Sequence, residues 1–286
     1  MNALNKLIVN FTPTGMVPTK MMTPHVPLEV HEIVEQVHAA CEIGITLVHL
    51  HAREAHTGEP TYRKDVYAGI MDGIRAHCPE LVICLSLSGR NYNEFGKRSE
   101  AIELQPDMGS LTLSSMNFPR QASVNAPDMV QGLAEKMTDF GVHPELEVFD
   151  LGMIHYARYL IQKNIIQPPF YFNLIFGNLA GMQTDLAEMG LAVKQLPEGS
   201  LWACGGNGRQ QLDANAIAIA AGGGVRIGLE DNLYFDRHKN VLAENTALLR
   251  RIHTLAGIFE RPVMSPAEFG SLGFYNSKSK VRLAAC

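Results

Sequence analysis

Short, continuously apolar runs rich in β-branched residues alternate along this chain with longer stretches whose apolar positions recur every three or four residues. The first kind reads as buried strands, the second as helices packed on one face. The strand-like runs cover residues 6–11, 46–51, 81–87, 108–113, 146–150, 170–176, 201–204 and 224–229. Helical periods follow at 28–42, 64–77, 99–104, 127–140, 154–163, 186–195, 211–221 and 240–257. Strand and helix in strict alternation, with no Pro/Ser-rich linker, predict an α/β fold with a parallel sheet, since right-handed crossovers return each strand in the same direction. Eight such units in 286 residues suit a closed (β/α)8 TIM barrel, typically about 250 residues long. We therefore expect a single barrel domain over residues 1–286 with a C-terminal helical extension. An open, doubly wound sheet would carry a Gly-rich phosphate turn after its first strand, where this chain has Thr12-Pro13-Thr14-Gly15.

In a barrel, chemistry gathers at the C-terminal ends of the strands, so the polar residues there form one set. They are Asn10 and Thr12 on the first strand, and His49, His51 and Arg53 on the second. The third carries Ser86 and Ser88, followed by Gly89-Arg90-Asn91, and the fourth Ser110 and Thr112. Glu145 and Glu147 lie on the fifth and Asn173 on the sixth. The seventh runs into Gly205-Gly206-Asn207-Gly208-Arg209, and the eighth supplies Arg226, Gly228 and Glu230, then Asp231. Side chains alternate along a strand, so His49, His51 and Arg53 are expected on one face and Val48 and Leu50 on the other.

Two imidazoles about 6–7 Å apart along one strand suit a divalent metal such as Zn²⁺, Fe²⁺ or Co²⁺. A pair of hydrogen-bonded core histidines is the alternative. Glu230 is the natural third ligand, because the eighth strand closes against the first and the second lies one further on. An ion pair between Glu230 and Arg226, four residues apart on the same face, competes with that role. The glycines of the seventh turn let backbone N–H groups of Gly206 and Gly208 approach an anion at a helix N-terminus, with Arg209 as a supplementary cation. An ordinary tight turn explains the same residues.

Composition narrows the function class. Hydrophobic residues make up 46% and charged residues 19%, ordinary for a folded enzyme and too apolar for disorder. The formal charge of −5, without a basic run, offers no electrostatic footprint for nucleic acid. Cys41, Cys78, Cys84, Cys204 and Cys286 are odd in number and scattered in apolar segments, which reads as reduced thiols of a cytoplasmic protein. No apolar run is long enough for a membrane span.

Several of these motifs together resemble the β-keto acid cleavage enzyme family, over nearly the whole chain. They are Pro24-His25-Val26-Pro27, His49-Leu50-His51-Ala52-Arg53, Ser110-Leu111-Thr112 with Asn117-Phe118, Pro144-Glu145-Leu146-Glu147, and the run from Gly223 through Arg226 and Glu230-Asp231 to Asn232. The resemblance implies a barrel enzyme with zinc, or another divalent metal, on His49, His51 and Glu230, and acetyl-CoA as co-substrate. Such enzymes transfer CoA to the far fragment of a β-keto acid and release acetoacetate. The likeness further implies Asp231 as the base, held by Arg226 with Glu147 in the same network, and Ser86, Gly89 and Ser110 as keto-acid contacts. The two serines also read as plain strand-end hydrogen-bonders. A carboxylate beside Arg⁺ is expected to have a lowered pKa. A homo-oligomer, a tetramer by resemblance, is implied as well. In aminohexanoate-cleaving members a carboxylate after the first strand holds the substrate's ammonium. The matching position here is Val17, so a neutral or apolar tail is expected in preference to a cationic one. The competing readings are a metal-dependent hydrolase or aldolase on the same barrel and a non-catalytic metal- or ligand-binding barrel. Dependence of substrate loss on acetyl-CoA separates all three.

Overall fold

The computed structural model describes residues 5–284, so the expectation for Cys286 lies outside the described residues. Eight parallel strands close into one barrel. They are β1 (Val9–Phe11), β2 (Leu47–Leu50), β3 (Val82–Leu85), β4 (Met108–Thr112), β5 (His143–Val148), β6 (Tyr171–Phe176), β7 (Leu201–Gly206) and β8 (Gly224–Ile227). Each strand pairs with its sequence neighbours, and closure comes from β1 pairing with both β2 and β8. The outer helices are α1 (Val30–Ile43), α2 (Lys64–His77), α3 (Phe95–Ser99), α4 (Pro127–Asp139), α5 (Leu151–Gln162), α6 (Leu186–Lys194), α7 (Gln210–Ala220) and α8 (Asn245–Ile258). The (β/α)8 TIM barrel expected from the alternation is the fold observed.

Local differences have local causes. The third helix is only five residues long and continues as a 3-10 turn over Glu100–Leu104, ended by Gln105 in the left-handed region at φ 55°. The first strand is shorter than its apolar run because Leu7 bridges Val263 instead of entering the barrel. The second ends at Leu50. Residues 52–53 then pair antiparallel with 60–61, outside the barrel.

Strand alternation separates two kinds of core. Outward residues such as Phe11, Val48, Leu50, Ile83, Leu146, Phe172 and Ile227 pack under the helices in one continuous cluster. Each such side chain contributes about 1.5–3 kcal/mol by burial. Inward positions run from apolar at the strand starts to polar at their ends: Ile8 to Asn10, Leu47 to His49, Met108 to Ser110, and Tyr171 to Asn173.

The apolar end is sealed by the C-terminal segment, which adds the short helices α9 (Pro266–Phe269) and α10 (Ser277–Ala284). Met264, Phe269, Phe274 and Tyr275 cluster with Ile8, Leu47, Val82 and Tyr171. Phe269 and Phe274 stack at 4.3 Å, and Tyr171 meets Phe269 edge-on at 5.5 Å. This segment forms a plug under the barrel. Arg261 ties it in place by donating to the carbonyls of Ile219 and Gly223 at 2.9 and 2.7 Å. With one mouth closed, the polar mouth is the open one.

Candidate metal centre and active site

His49 and His51 stand side by side at the end of β2, buried, with their Nε2 atoms 3.3 Å apart. The Nδ1 of His49 lies 2.5 Å from a carboxylate oxygen of Glu145. Glu145 is fully buried on β5, and its other oxygen accepts hydrogen bonds from Asn10 at 2.6 Å and Asn173 at 3.1 Å. A carboxylate fixed from both sides holds a His49 proton on Nδ1 and turns Nε2 toward His51, where a metal would displace the second proton that the ring otherwise carries. Burial opposes charge on the ring, but the Glu145 and Glu230 carboxylates lift His49 to about 9. His51 is pushed down to about 4, first by burial.

Glu230 completes the group. One of its oxygens, Oε1, lies 3.2 Å from His51 Nε2 and accepts from Arg226 Nη2 at 2.6 Å. The ion pair with Arg226 and the approach to His51 thus share one oxygen. Its other oxygen, Oε2, is buried without a partner. Donor atoms of His49, His51 and Glu230 all lie within 4.8 Å of one another. Two imidazoles and a carboxylate with one oxygen left unpartnered are a common set for a catalytic divalent metal. These residues fit one. The neighbouring trio His49, Cys84 and Glu145 is equally compact, and there the Cys84 thiol, which burial holds well above its usual range, donates to Glu145 at 3.3 Å.

Arg226 links this group to the other carboxylates. Its Nε donates to Asp231 at 2.8 Å, and its Nη1, without a hydrogen-bond partner, lies 3.9 Å from Glu147. Glu147 accepts from Thr112 Oγ1 at 2.6 Å. Burial raises Asp231 above the usual carboxylate range, and Glu230 adds to that, together outweighing Arg226. This corrects the lowered value expected from the ion pair alone. Burial likewise raises Glu147, whereas Glu230 is held well below the usual range because Arg226 and the histidines outweigh its burial.

Two glycines make the assembly possible. A Cβ on Gly205 would lie 3.0 Å from the Arg226 side chain, and one on Gly15 would lie 2.5 Å from Glu230 Cγ. Gly15 sits at φ 67°, which a side chain would also strain.

The remaining candidates divide. Ser86 lines a cavity beside His51, together with Met16, Tyr62, Tyr92 and Lys97. Ser110 accepts a hydrogen bond from the Leu87 backbone at 3.0 Å, the strand-end role weighed for it. Gly89 packs so tightly that a Cβ would lie 2.6 Å from Arg98 Nη1. Val17 is 52% exposed, and its neighbour Met16 takes the place in the cavity wall. Arg53 does not share the histidines' face, because the chain leaves the barrel before it. Its guanidinium donates instead to the carbonyls of Gly15, Pro18 and Gly58. In the turn after β7, the Asn207 and Gly208 N–H groups are bonded to Phe176 and Asp231 carbonyls at 2.9 and 2.7 Å. Gly206 has no room for a Cβ against the α7 backbone. This is a connecting turn with Arg209 exposed at its edge, and the backbone cradle read from its glycines is already occupied by the protein's own carbonyls.

The strand pattern put Glu145 and Glu147 on one face, and the resemblance gave Glu147 a place beside Arg226 while Glu145, like Asn10 and Asn173, received no role. Their signal was period-two polarity on otherwise apolar strands.

A family model described as beta-keto acid cleavage enzyme matches residues 6–272. The 3-keto-5-aminohexanoate cleavage enzyme of Fusobacterium nucleatum is 35% identical over 268 residues, 93% of this chain and 96% of that one. The 3-oxoadipate:acetyl-CoA acetyltransferase of Cupriavidus necator is 34% identical over 268 residues, 93% of each. Among solved structures, ObcA bound to oxaloacetate superposes with a TM-score of 0.75 at 18% identity, over 88% of this chain and 68% of that one, a likeness of fold.

Proposed function

The chain belongs to the β-keto acid cleavage enzyme family, and on that premise we propose that it converts a β-keto acid and acetyl-CoA into acetoacetate and a new acyl-CoA. The observation that carries this reading is the bond of Arg226 to both Glu230 and Asp231, which sets a basic carboxylate beside the His49–His51–Glu230 group at the barrel's open end. The metal that this group would hold, zinc or another divalent ion, supplies Lewis acidity toward the keto acid's ketone and carboxylate oxygens.

Asp231 removes a proton from C2, between the two carbonyls. Arg226 fixes the orientation of Asp231 through both carboxylate oxygens. The C2 carbanion attacks the acetyl carbonyl and expels the CoA thiolate. That thiolate adds to C3, the C2–C3 bond breaks with its electron pair on C2, and Asp231 returns the proton. Acetoacetate leaves, with the far fragment as its CoA thioester. Glu147 supports Arg226 from the other side, and Ser86, Gly89 and Ser110 bound the keto acid along β3 and β4. Arg209, with Gly206 and Gly208 shaping its turn, is our candidate for the phosphates of acetyl-CoA. The four described cysteines are free, which supports a cytoplasmic setting. A homo-oligomer, a tetramer by resemblance, is the assembly we propose. No helix among the described residues is long and apolar enough to cross a membrane.

The two relatives act, by name, on an amino-substituted keto acid and a keto diacid at nearly equal identity, so family membership leaves the substrate's tail open. The residues lining the cavity beside His51 include Lys97 and Arg98 and no carboxylate, which supports a tail that is not an ammonium. Incubation with a set of β-keto acids, with and without acetyl-CoA, tests the reaction. Acetoacetate is expected only when both are present, and loss of keto acid without acetyl-CoA would overturn it.

A further inference from the structure

We infer that the keto acid this site selects carries a second carboxylate on its tail, received by the guanidinium of Arg90. The inference rests on the β-keto acid reading above and adds the charge of the part that the family leaves open.

Of the arginines near the open end of the barrel, Arg226, Arg53 and Arg98 are bonded to the protein's own acceptors. Arg226 is bonded to Glu230 and Asp231. Arg53 donates to three backbone carbonyls. Arg98 donates to the carbonyls of Leu87 and Val124 and to Asn125 Oδ1. Arg90 differs. Among the described residues its guanidinium has no carboxylate within ion-pair distance and no hydrogen-bond acceptor, and its Nε is buried without a partner. The guanidinium lies over an aromatic ring, with Cζ 3.5 Å above the Phe118 centroid. Phe118 is in turn braced edge-on by Phe149 at 5.7 Å.

An unpaired guanidinium in a partly buried position is costly unless something supplies acceptors. Burial works against its charge, while the fields of Glu230, Glu147 and Asp231 sustain it. Arg90 therefore stands within electrostatic reach of the metal-ligand and base carboxylates without bonding to any of them. Phe118 covers one face of the guanidinium plane. The N–H fork, which lies in that plane, stays free for the two oxygens of a carboxylate.

Position supports the same occupant. Arg90 follows Ser86 and Ser88, which line the cavity beside His51. A ligand anchored by its keto-acid head at His49, His51 and Glu230 would run along this segment toward Arg90. The lining of the cavity beside His51 offers no carboxylate to an ammonium, and Arg90 offers the partner an anion needs. The neutral or apolar tail expected from Val17 alone is thereby replaced by a charged one.

The test compares two acids of equal chain length, 3-oxohexanedioate and 3-oxohexanoate. Calorimetric binding to the metal-loaded protein without acetyl-CoA is expected to favour the diacid by about 10²-fold, the range of a hydrogen-bonded charge pair. Arg90→Gln is expected to remove most of that preference. Arg90→Lys keeps the charge without the fork and is expected to retain part of it, and it decides the question alone should Arg90→Gln fail to fold. Equal binding of the two acids by the wild type would overturn the inference. So would an equal loss for both acids in Arg90→Gln, because the guanidinium would then hold the head they share. Adding acetyl-CoA and measuring acetoacetate tests the reaction separately. Acetoacetate without diacid preference removes the role of Arg90 and leaves the reaction, whereas diacid preference in binding without acetoacetate does the reverse.

Discussion

His49 presents one nitrogen to Glu145 and the other to His51, so a single ring joins an orienting carboxylate to the prospective metal. Removing the ring and removing its support are expected to differ. In His49→Ala/His51→Ala, metal analysis should find near-complete loss with far-UV circular dichroism unchanged. Glu145→Gln retains the ring while weakening its orientation, so chelator competition should show metal affinity lowered by about 10–100-fold. Wild-type metal content in the double variant would remove these histidines as ligands. Asp231 makes a different demand. Asp231→Asn keeps the shape and removes the base, so kcat should fall by roughly 10²–10⁴-fold with metal content unchanged. A kcat near wild type would exclude Asp231 as the base. At this scale the sequence was informative about residue type and face, since H-x-H and E-x-E on apolar strands announce inward polar groups. The strand period by itself could not tell Glu145 from Glu147, because both point inward two residues apart. Their roles follow from what stands opposite: His49, Asn10 and Asn173 for one, Thr112 and Arg226 for the other.

Among the elements, β7 carries a residue whose value is its missing side chain. Gly205 pairs with Ile175 of β6 in the barrel ladder and lets Arg226 of β8 pass across its Cα. Gly205→Ala would displace Arg226, and with it the carboxylates that the guanidinium holds. A misplacement on the order of 1 Å can cost about 10²-fold in rate; a Cβ 3.0 Å from the Arg226 side chain asks for less than that, so kcat is expected to fall by up to about 10-fold with only a small shift in Tm. Steady-state kinetics beside a thermal melt checks this, and an unchanged kcat would show that Arg226 accommodates the methyl. The end of β2 marks where pattern reading stopped working. Alternation predicts Arg53 on the histidine face, but the strand ends at Leu50 and residues 52–53 join a separate hairpin. Period two applies only while the strand lasts, and hydrogen-bond partners of other strands decide where that is.

For the whole molecule, the division of the barrel into a sealed apolar end and an open polar end depends on the C-terminal segment. Phe269 is fully buried in the plug between Phe274 and Tyr171. Phe269→Ala is expected to destabilise the protein by about 3–5 kcal/mol. Denaturant unfolding measures this, with metal content per folded chain unaltered, since the plug and the site lie at opposite ends; a loss under about 1 kcal/mol would mean the plug is not part of the cooperative core. The alternation of strands and helices, the inward polar gradient and the set of chemically capable side chains were determined by the sequence itself. They arise from local periodicity and residue type, which survive without knowledge of the fold. Tertiary structure alone decided which of those side chains meet. Glu145 reaches His49 across 96 positions and Asn10 across 135. Backbone carbonyls occupy Arg53 and Arg98 and leave Arg90 unpaired, and the last aromatic residues turn back beneath the first strands. Such pairings depend on how the closed sheet is staggered and where its loops run, and no local period encodes either.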